Sequence, residues 1–193
     1  MTLITDIQPA LSLIPYRWTL DRYHLAVDAN IFEGQALELL DGVLFEMSPE
    51  GIPHAGLSSD GADYLRERLG TQVKIREGKP ITLLNASEPE PDIAVVKPLG
   101  NVYKTQRHPQ GADIFWVIEY SNTSLEKDLH LKSQIYAREG IPEYWVINLK
   151  TRELIVFRDP AGGDYQSQQT MTNGVIYPVC FPDVEIAIAS LLS

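Results

Sequence analysis

Apolar positions near the start of the chain predict a hairpin followed by a helix. The segment ALELLDGVLFEM, residues 36–47, places two apolar runs around Asp41-Gly42, a dipeptide that strongly favours a tight β-hairpin. Helical spacing over residues 54–69 predicts a helix. It ends at Gly70, because glycine readily adopts the backbone conformation that closes a helix.

The middle of the chain alternates between short apolar runs and polar segments. The apolar runs predict strands at residues 73–76, 81–84, 91–96, 112–120, 144–148 and 153–157. The run ADIFWVIEY, residues 112–120, has no regular polar alternation, which is typical of a central strand covered on both faces. Residues 97–111 contain prolines and glycines and predict a surface loop.

Two further helices and a second hairpin complete the predicted elements. Residues 19–29 predict a short helix. Thr123 begins a capping box, with a glutamate three residues later, and predicts a helix that ends at Gly140. Asn173-Gly174 predicts a hairpin near the C-terminus. This order of elements indicates a mixed α and β fold, in which helices pack on a sheet.

The composition fits one domain without a disulfide. A chain of 193 residues with 44% hydrophobic content can bury a sizeable core, so we expect a single domain over residues 1–193. No run approaches the roughly 20 apolar residues of a membrane span, and no signal peptide is recognisable. Cys180 is the sole cysteine, which excludes an internal disulfide and cysteine-based zinc sites. These features favour a cytoplasmic protein.

The net charge of −10 restricts the roles that involve nucleic acid. An acidic chain disfavours non-specific packaging of DNA, because phosphate contacts dominate that affinity. An enzyme that meets phosphates through a local basic patch and a bound cation is compatible with this charge. Residues 64–80, with five basic and two acidic side chains, are the best candidate patch, although an ordinary mixed-charge surface has the same composition.

Two carboxylates interrupt the apolar scaffold at strand ends. Asp92 begins one predicted strand and Glu119 ends another. Because neighbouring strands lie about 5 Å apart, the two side chains can share one cation, and oxygen ligands without cysteine favour Mg²⁺ or Mn²⁺ over zinc. A carboxylate at a strand end is also often a plain solvated residue. Glu119, however, follows five apolar residues, where an unpaired charge costs free energy.

One face of the next predicted helix carries three polar residues. Asp128, Lys132 and Tyr136 are spaced by four and therefore lie on the same side. Two interpretations stay open. In the first, Asp128 and Lys132 form an exposed ion pair with little effect on stability. In the second, Lys132 points back to Glu119, where it orients a metal-bound water and stabilises charge on a phosphate.

Polar residues near the first hairpin have weaker signals. His54 begins a predicted helix and is a capping or surface residue, a metal ligand or a proton carrier. Glu38 and Glu46 lie on the hairpin, where carboxylates usually form the polar face of a strand.

The ordered set of these motifs resembles one known family. The segments ELLDGVLFEMSP, EPDIAVV and VIEYSNTS, with His54 and the helix of Lys132, are similar to the Uma-two endonuclease family of the PD-(D/E)XK restriction-endonuclease-like superfamily. The resemblance covers about residues 16–185. It implies an α/β fold with a central mixed β-sheet flanked by α-helices, here with an N-terminal β-hairpin extension.

The resemblance also implies metal-assisted hydrolysis of phosphodiester bonds. Asp92 matches the Pro-Asp position, and Glu119 matches the acidic residue of the second motif. The lysine that usually follows two residues later is absent, because Ser121 stands there. The family is similar to nucleases whose lysine has moved to the following helix, which here is Lys132.

The resulting hypothesis is a metal-dependent endonuclease. Its candidate catalytic residues are Asp92, Glu119, Lys132, Asp128, His54 and Glu46. Asp92 and Glu119, with the carbonyl of Tyr120, are the candidate ligands of Mg²⁺ or Mn²⁺. Nucleic acid, foremost DNA, is the expected substrate, and a homodimer is expected because two-fold symmetry suits cleavage of both strands of a duplex. Two alternatives stay open: a non-catalytic nucleic-acid-binding or interaction module that retains the fold, and a structural oligomer.

Overall fold

Ten strands form three sheets in the computed structural model, which describes residues 15–84 and 86–193. The first sheet is the hairpin of β1 (Leu37–Leu40) and β2 (Val43–Glu46). The central sheet consists of β3 (Lys74–Glu77), β4 (Ile93–Val96), β5 (Ile114–Ser121), β6 (Glu143–Asn148), β7 (Glu153–Ala161) and β8 (Asp164–Met171). The third sheet pairs β9 (Val175–Ile176) with β10 (Ile186–Ala187).

The described residues form five α-helices, and helices pack on both faces of the central sheet. They are α1 (Leu20–Asp28), α2 (Ile52–Leu69), α3 (Val102–Thr105), α4 (Ser133–Arg138) and α5 (Ala189–Leu192). A π-helix, Lys127–Lys132, leads directly into α4, and two 3₁₀ helices, Gly70–Gln72 and Gly111–Asp113, precede β3 and β5. In residues 15–84 and 86–193, no helix is long and apolar enough to cross a membrane.

The strands of the central sheet lie in chain order from β3 to β8. All neighbours are antiparallel except β5 and β6, which run parallel and are joined through the π-helix and α4. The ends of β5 and β6 therefore open on the same edge of the sheet. The antiparallel strand β4 begins at that edge, so residues from three strands meet there.

Strand β5 is buried on both faces, as its apolar run predicts. Trp116 and Ile118 pack on one face with residues of α2 and α5. Val117 packs on the other face with Ile135 and Tyr136 of α4. The expected architecture, a mixed sheet between helices, is confirmed.

Several local predictions are also confirmed. The Asp41-Gly42 pair turns the first hairpin, and both of its residues have positive φ. Gly70 closes α2 and Gly140 follows α4, again with positive φ. The side chain of Thr19 caps α1, the short helix predicted near the N-terminus.

Three local predictions are wrong. Residues 81–84 form only isolated backbone hydrogen bonds with residues 87–89 and no strand. Pro89 and Pro91 have no N–H and therefore cannot donate the hydrogen bonds of a continuous ladder. Asn173-Gly174 turns no hairpin. It links β8 to β9, which pairs with β10 in a separate sheet.

The third correction concerns the helix predicted after Thr123. It begins after Ser124 rather than Thr123, and its middle section is a π-helix rather than an α-helix. A π-helix is wider than an α-helix, with hydrogen bonds from residue i to i+5, and is often found at functional sites.

Candidate active site

A cleft of about 790 Å³ opens at the sheet edge where β4 begins and β5 ends. Residues of the β1–β2 hairpin, the start of α2 and the π-helix form its walls. The candidate catalytic and metal-ligating residues named from the sequence all line it: Asp92, Glu119, Lys132, Asp128, His54, Glu46 and Tyr120.

Strand pairing places the two candidate ligand carboxylates side by side. Ile93 of β4 pairs with Ile118 of β5, so the residues next to this pair, Asp92 and Glu119, lie at adjoining strand ends. The backbone N–H of Tyr120 donates a 2.5 Å hydrogen bond to Asp92 Oδ2. This bond holds the Asp92 side chain against the end of β5.

Glu119 is almost completely buried, with 4% of its surface exposed. Its Oε1 accepts hydrogen bonds from Lys132 Nζ and from the hydroxyl of Tyr136, each at 2.9 Å. Burial raises the pKa of Glu119 to about 8; Lys132 opposes this shift, and the nearby carboxylates of Asp128 and Asp92 add to it. A nearby positive charge lowers the pKa of Glu119 and therefore favours its ionised form.

Lys132 lies among three carboxylates. Its Nζ is 2.9 Å from Glu119 Oε1, 3.0 Å from Glu38 Oε2 and 4.0 Å from Asp128 Oδ1. Burial alone would lower the pKa of Lys132, but these carboxylates outweigh burial and raise it. The exposed Asp128–Lys132 pair considered from the sequence is wrong, because both side chains are buried.

Asp128 is anchored to the end of β5. Ser121 Oγ and Ser124 Oγ donate hydrogen bonds of 2.7 and 2.6 Å to its Oδ2. The hydroxyl of Tyr144 donates to its backbone carbonyl at 3.1 Å. Ser121, two residues after Glu119, thus helps to hold the helix that carries Lys132.

His54 lies in the first turn of α2 and faces Asp92. Its Nε2 is 3.1 Å from Asp92 Oδ2, and its Nδ1 is 3.5 Å from Glu50 Oε2. The hydrogen bond with Asp92 raises the pKa of His54 to about 9 although burial opposes the shift. Ligand atoms of Glu50, His54 and Asp92 lie within 4.8 Å of one another. Glu46 is exposed at the rim.

The oxygen atoms at the end of β5 fit a hard divalent cation. Protein donors occupy Glu119 Oε1 and Asp92 Oδ2. Within the described ranges, no donor contacts Glu119 Oε2 or Asp92 Oδ1, so each carboxylate keeps one oxygen for a ligand. Mg²⁺ and Mn²⁺ prefer carboxylate and carbonyl oxygens of this kind.

Sequence interpretation gave no site role to four charged residues of the cleft: Glu38, Glu50, Glu90 and Lys127. The interpretation of Glu38 as part of the polar face of a strand is wrong, because its side chain is buried. Glu38 is an acid among leucines, the same signal that singled out Glu119. Glu50 stands four residues before His54, a spacing that also placed Asp128 with Lys132. Lys127 had no such signal, because α-helical spacing directs it away from Lys132.

The predicted basic patch lies elsewhere. None of its five basic side chains lines the cleft. Arg66 forms ion pairs with Asp63 and Glu77, and Arg68 donates to the backbone carbonyl of Glu185. The mixed-charge surface considered from the sequence therefore describes these residues better than a phosphate site.

Comparisons with known proteins agree with this fold. Residues 20–189 match the family model Uma2, described as "Putative restriction endonuclease". A crystal structure of a putative nuclease belonging to DUF820, from Anabaena variabilis ATCC 29413, is similar with a TM-score of 0.60 and 16% sequence identity. The match covers 81% of this chain and 89% of that chain, and at this identity it shows the fold alone. No curated protein matches the chain.

Proposed function

Because the chain belongs to the Uma2 family of putative restriction endonucleases, we propose that it is a metal-dependent endonuclease that hydrolyses phosphodiester bonds in nucleic acid. The observation that carries this proposal is the position of Asp92 against the end of β5, close to Glu119 and to the buried ammonium group of Lys132. Two carboxylates with available oxygens, next to a fixed positive charge, suit the binding of a cation and a phosphate together.

Asp92 and Glu119 are the proposed ligands of Mg²⁺ or Mn²⁺, with the carbonyl of Tyr120 as a third. When bound, such a cation polarises the phosphate and lowers the pKa of a coordinated water. The Tyr120 N–H orients Asp92, and the Tyr136 hydroxyl orients Glu119. These contacts hold both carboxylates in place before a ligand arrives.

The remaining candidate residues of the cleft stabilise negative charge and donate protons. Lys132 stays protonated among its carboxylates and stabilises negative charge that develops on the phosphate. Asp128, held by two serines, orients Lys132. His54 carries a proton beside Asp92 at neutral pH and is the proposed donor to the leaving oxygen. Glu46, at the rim, is a further candidate for contact with bound water.

We also propose DNA as the substrate and a homodimer as the active assembly. A dimer with two-fold symmetry presents one site to each strand of a duplex. Light scattering during size-exclusion chromatography measures the assembly, and a monomer at all concentrations, with or without duplex DNA, would contradict this part of the proposal.

Cleavage assays test the proposed function. The purified protein is incubated with plasmid DNA, single-stranded DNA and RNA in the presence of Mg²⁺ or Mn²⁺. We expect cleavage by the wild type and at least a ~100-fold loss in Asp92→Asn and Glu119→Gln, in line with the weight of transition-state electrostatics. Glu67→Gln, an exposed residue of α2 outside the cleft, makes the same charge change and should retain activity.

Calorimetric titration with Mn²⁺ separates the enzyme from a non-catalytic module. Saturable binding that is lost in Glu119→Gln supports the proposed site. Nucleic-acid binding with neither Mn²⁺ binding nor cleavage would instead favour a module that retains the fold without the chemistry.

A further inference from the structure

Glu38 is a buried carboxylate that belongs to the hairpin rather than to the central sheet. Only 1% of its surface is exposed. Lys127 Nζ donates a 2.6 Å hydrogen bond to its Oε1, and Lys132 Nζ lies 3.0 Å from its Oε2. Burial alone would raise the pKa of Glu38, but the two lysines outweigh it and lower the pKa. Glu38 is therefore an anion bound by two cations.

The π-helix makes this double contact possible. At 3.6 residues per turn, side chains five residues apart point about 140° away from each other. The wider turn of the π-helix brings residues i and i+5 onto nearly the same side. Lys127 and Lys132 are its first and last residues, and both reach Glu38.

Lys132 needs an anion that is independent of Glu119. A buried ammonium group without a counter-charge is strongly destabilised. If Glu119 binds a cation, as the proposed function requires, its carboxylate is shared between that cation and Lys132. The attraction between Glu119 and Lys132 is then weaker. Among the described residues, Glu38 forms ion pairs with Lys127 and Lys132, so its contact with Lys132 does not depend on Glu119.

We propose that Glu38 is a positioning residue, which holds the Lys132 ammonium group in the cleft whether or not Glu119 is engaged by a ligand. This inference rests on the proposed function for its role in cleavage. It makes the β1–β2 hairpin part of the active site rather than an accessory extension.

A purely structural role predicts something different. In that case Glu38 would only fasten the hairpin to the helix region. A second ion pair, Arg138 Nη2 to Asp41 Oδ2 at 2.6 Å, fastens the same hairpin to α4 without lining the cleft. Arg138→Gln is therefore a matched control, which weakens hairpin docking and leaves Lys132 untouched.

Steady-state kinetics compare the two roles. Glu38→Gln keeps the shape of the side chain and removes its charge, so we expect kcat to fall at least ~10-fold with KM changed less than ~2-fold. Arg138→Gln should keep both constants, and Glu38→Asp should recover part of the lost kcat. Wild-type kcat in Glu38→Gln, or equal losses in Glu38→Gln and Arg138→Gln, would overturn the proposal.

A double-mutant cycle tests the contact without any activity. Urea unfolding is measured for Glu38→Gln, Glu119→Gln and the double variant, all free of metal. Each single change leaves Lys132 one carboxylate at about 3 Å, whereas the double change leaves only Asp128, at 4.0 Å. The loss of stability in the double variant should therefore exceed the sum of the two single losses. Additive losses would show that Lys132 does not depend on Glu38.

A double variant that fails to fold still tests whether Lys132 depends on Glu38. If the double variant does not fold, adding Lys132→Met removes the buried ammonium group that has lost its two nearest carboxylates and should restore folding; no restoration contradicts the proposal. If the wild type cleaves no nucleic acid, the proposed function fails, while this cycle still decides whether Glu38 and Glu119 share Lys132.

Discussion

The hydroxyl of Tyr120 fills the space that Gly61 leaves on helix α2, so the helix lies directly against the end of β5. A Cβ atom at Gly61 would overlap that hydroxyl. The same helix carries His54, whose ring packs edge-on to Tyr120 with 6.4 Å between centroids. The contact between Gly61 and Tyr120 therefore helps to set the position of His54 relative to Asp92.

Gly61→Ala should destabilise the protein by about 1–3 kcal/mol, because the added methyl group overpacks this contact. Gly56→Ala is the matched control, since the same helix has open space at Gly56 and alanine there should stabilise by about 0.5–1 kcal/mol. Tyr120→Phe removes a hydroxyl that is buried without a partner among the described residues and should partly rescue Gly61→Ala. Urea unfolding measures all of these; equal stability of the two alanine variants would refute the prediction.

Lys132→Met should destabilise the protein by about 3–5 kcal/mol, because it leaves the carboxylates of Glu38 and Glu119 buried without their shared cation. The measurement is the free energy of unfolding in urea at pH 7. Lys150→Met, an exposed residue after β6, should change stability by less than about 0.5 kcal/mol. A loss as small as that of the control would mean that the buried ion pairs contribute little.

Asp113 should contribute to the stability of the fold at neutral pH and lose this contribution at acidic pH. Asp113 is buried before β5, where Arg107 and the backbone N–H of Gln110 donate to its carboxylate. Burial alone would raise the pKa of Asp113, but these donors outweigh it and lower the pKa. The ionised group therefore stabilises the fold above its unfolded pKa of about 3.9, and this contribution is lost as pH falls through the lower folded pKa.

Asp113→Asn should accordingly cost about 1–2 kcal/mol at pH 7, and the difference from the wild type should shrink below pH 4. Urea unfolding at a series of pH values provides the comparison, with Asp183→Asn, the same change at an exposed aspartate, as the control variant. A difference that stays constant from pH 7 to pH 3 is incompatible with this assignment.

The sequence predicted helices, strands and turns well where a single residue or apolar run largely fixes the local conformation. The Asp41-Gly42 turn and the helix end at Gly70 follow from backbone conformations that few residues adopt. The unbroken apolar run of β5 predicted burial on both faces of the strand, and both faces are buried. Residues 81–84 also have strand propensity, but their neighbours in space contain prolines, and strand formation depends on the partner as well as on the segment.

The sequence by itself determined which residues are candidates for the site. Asp92 and Glu119 stand out because a charge within an apolar segment is costly unless it has a partner. Only the tertiary structure decided which partners they have. The register of β4 and β5 sets Asp92 beside Glu119, and the π-helix brings Lys127 and Lys132 to Glu38 of a distant hairpin. Residue spacing encodes neighbours on one regular element, whereas strand register, a change of helix type and contacts between distant segments arise only when the whole chain packs.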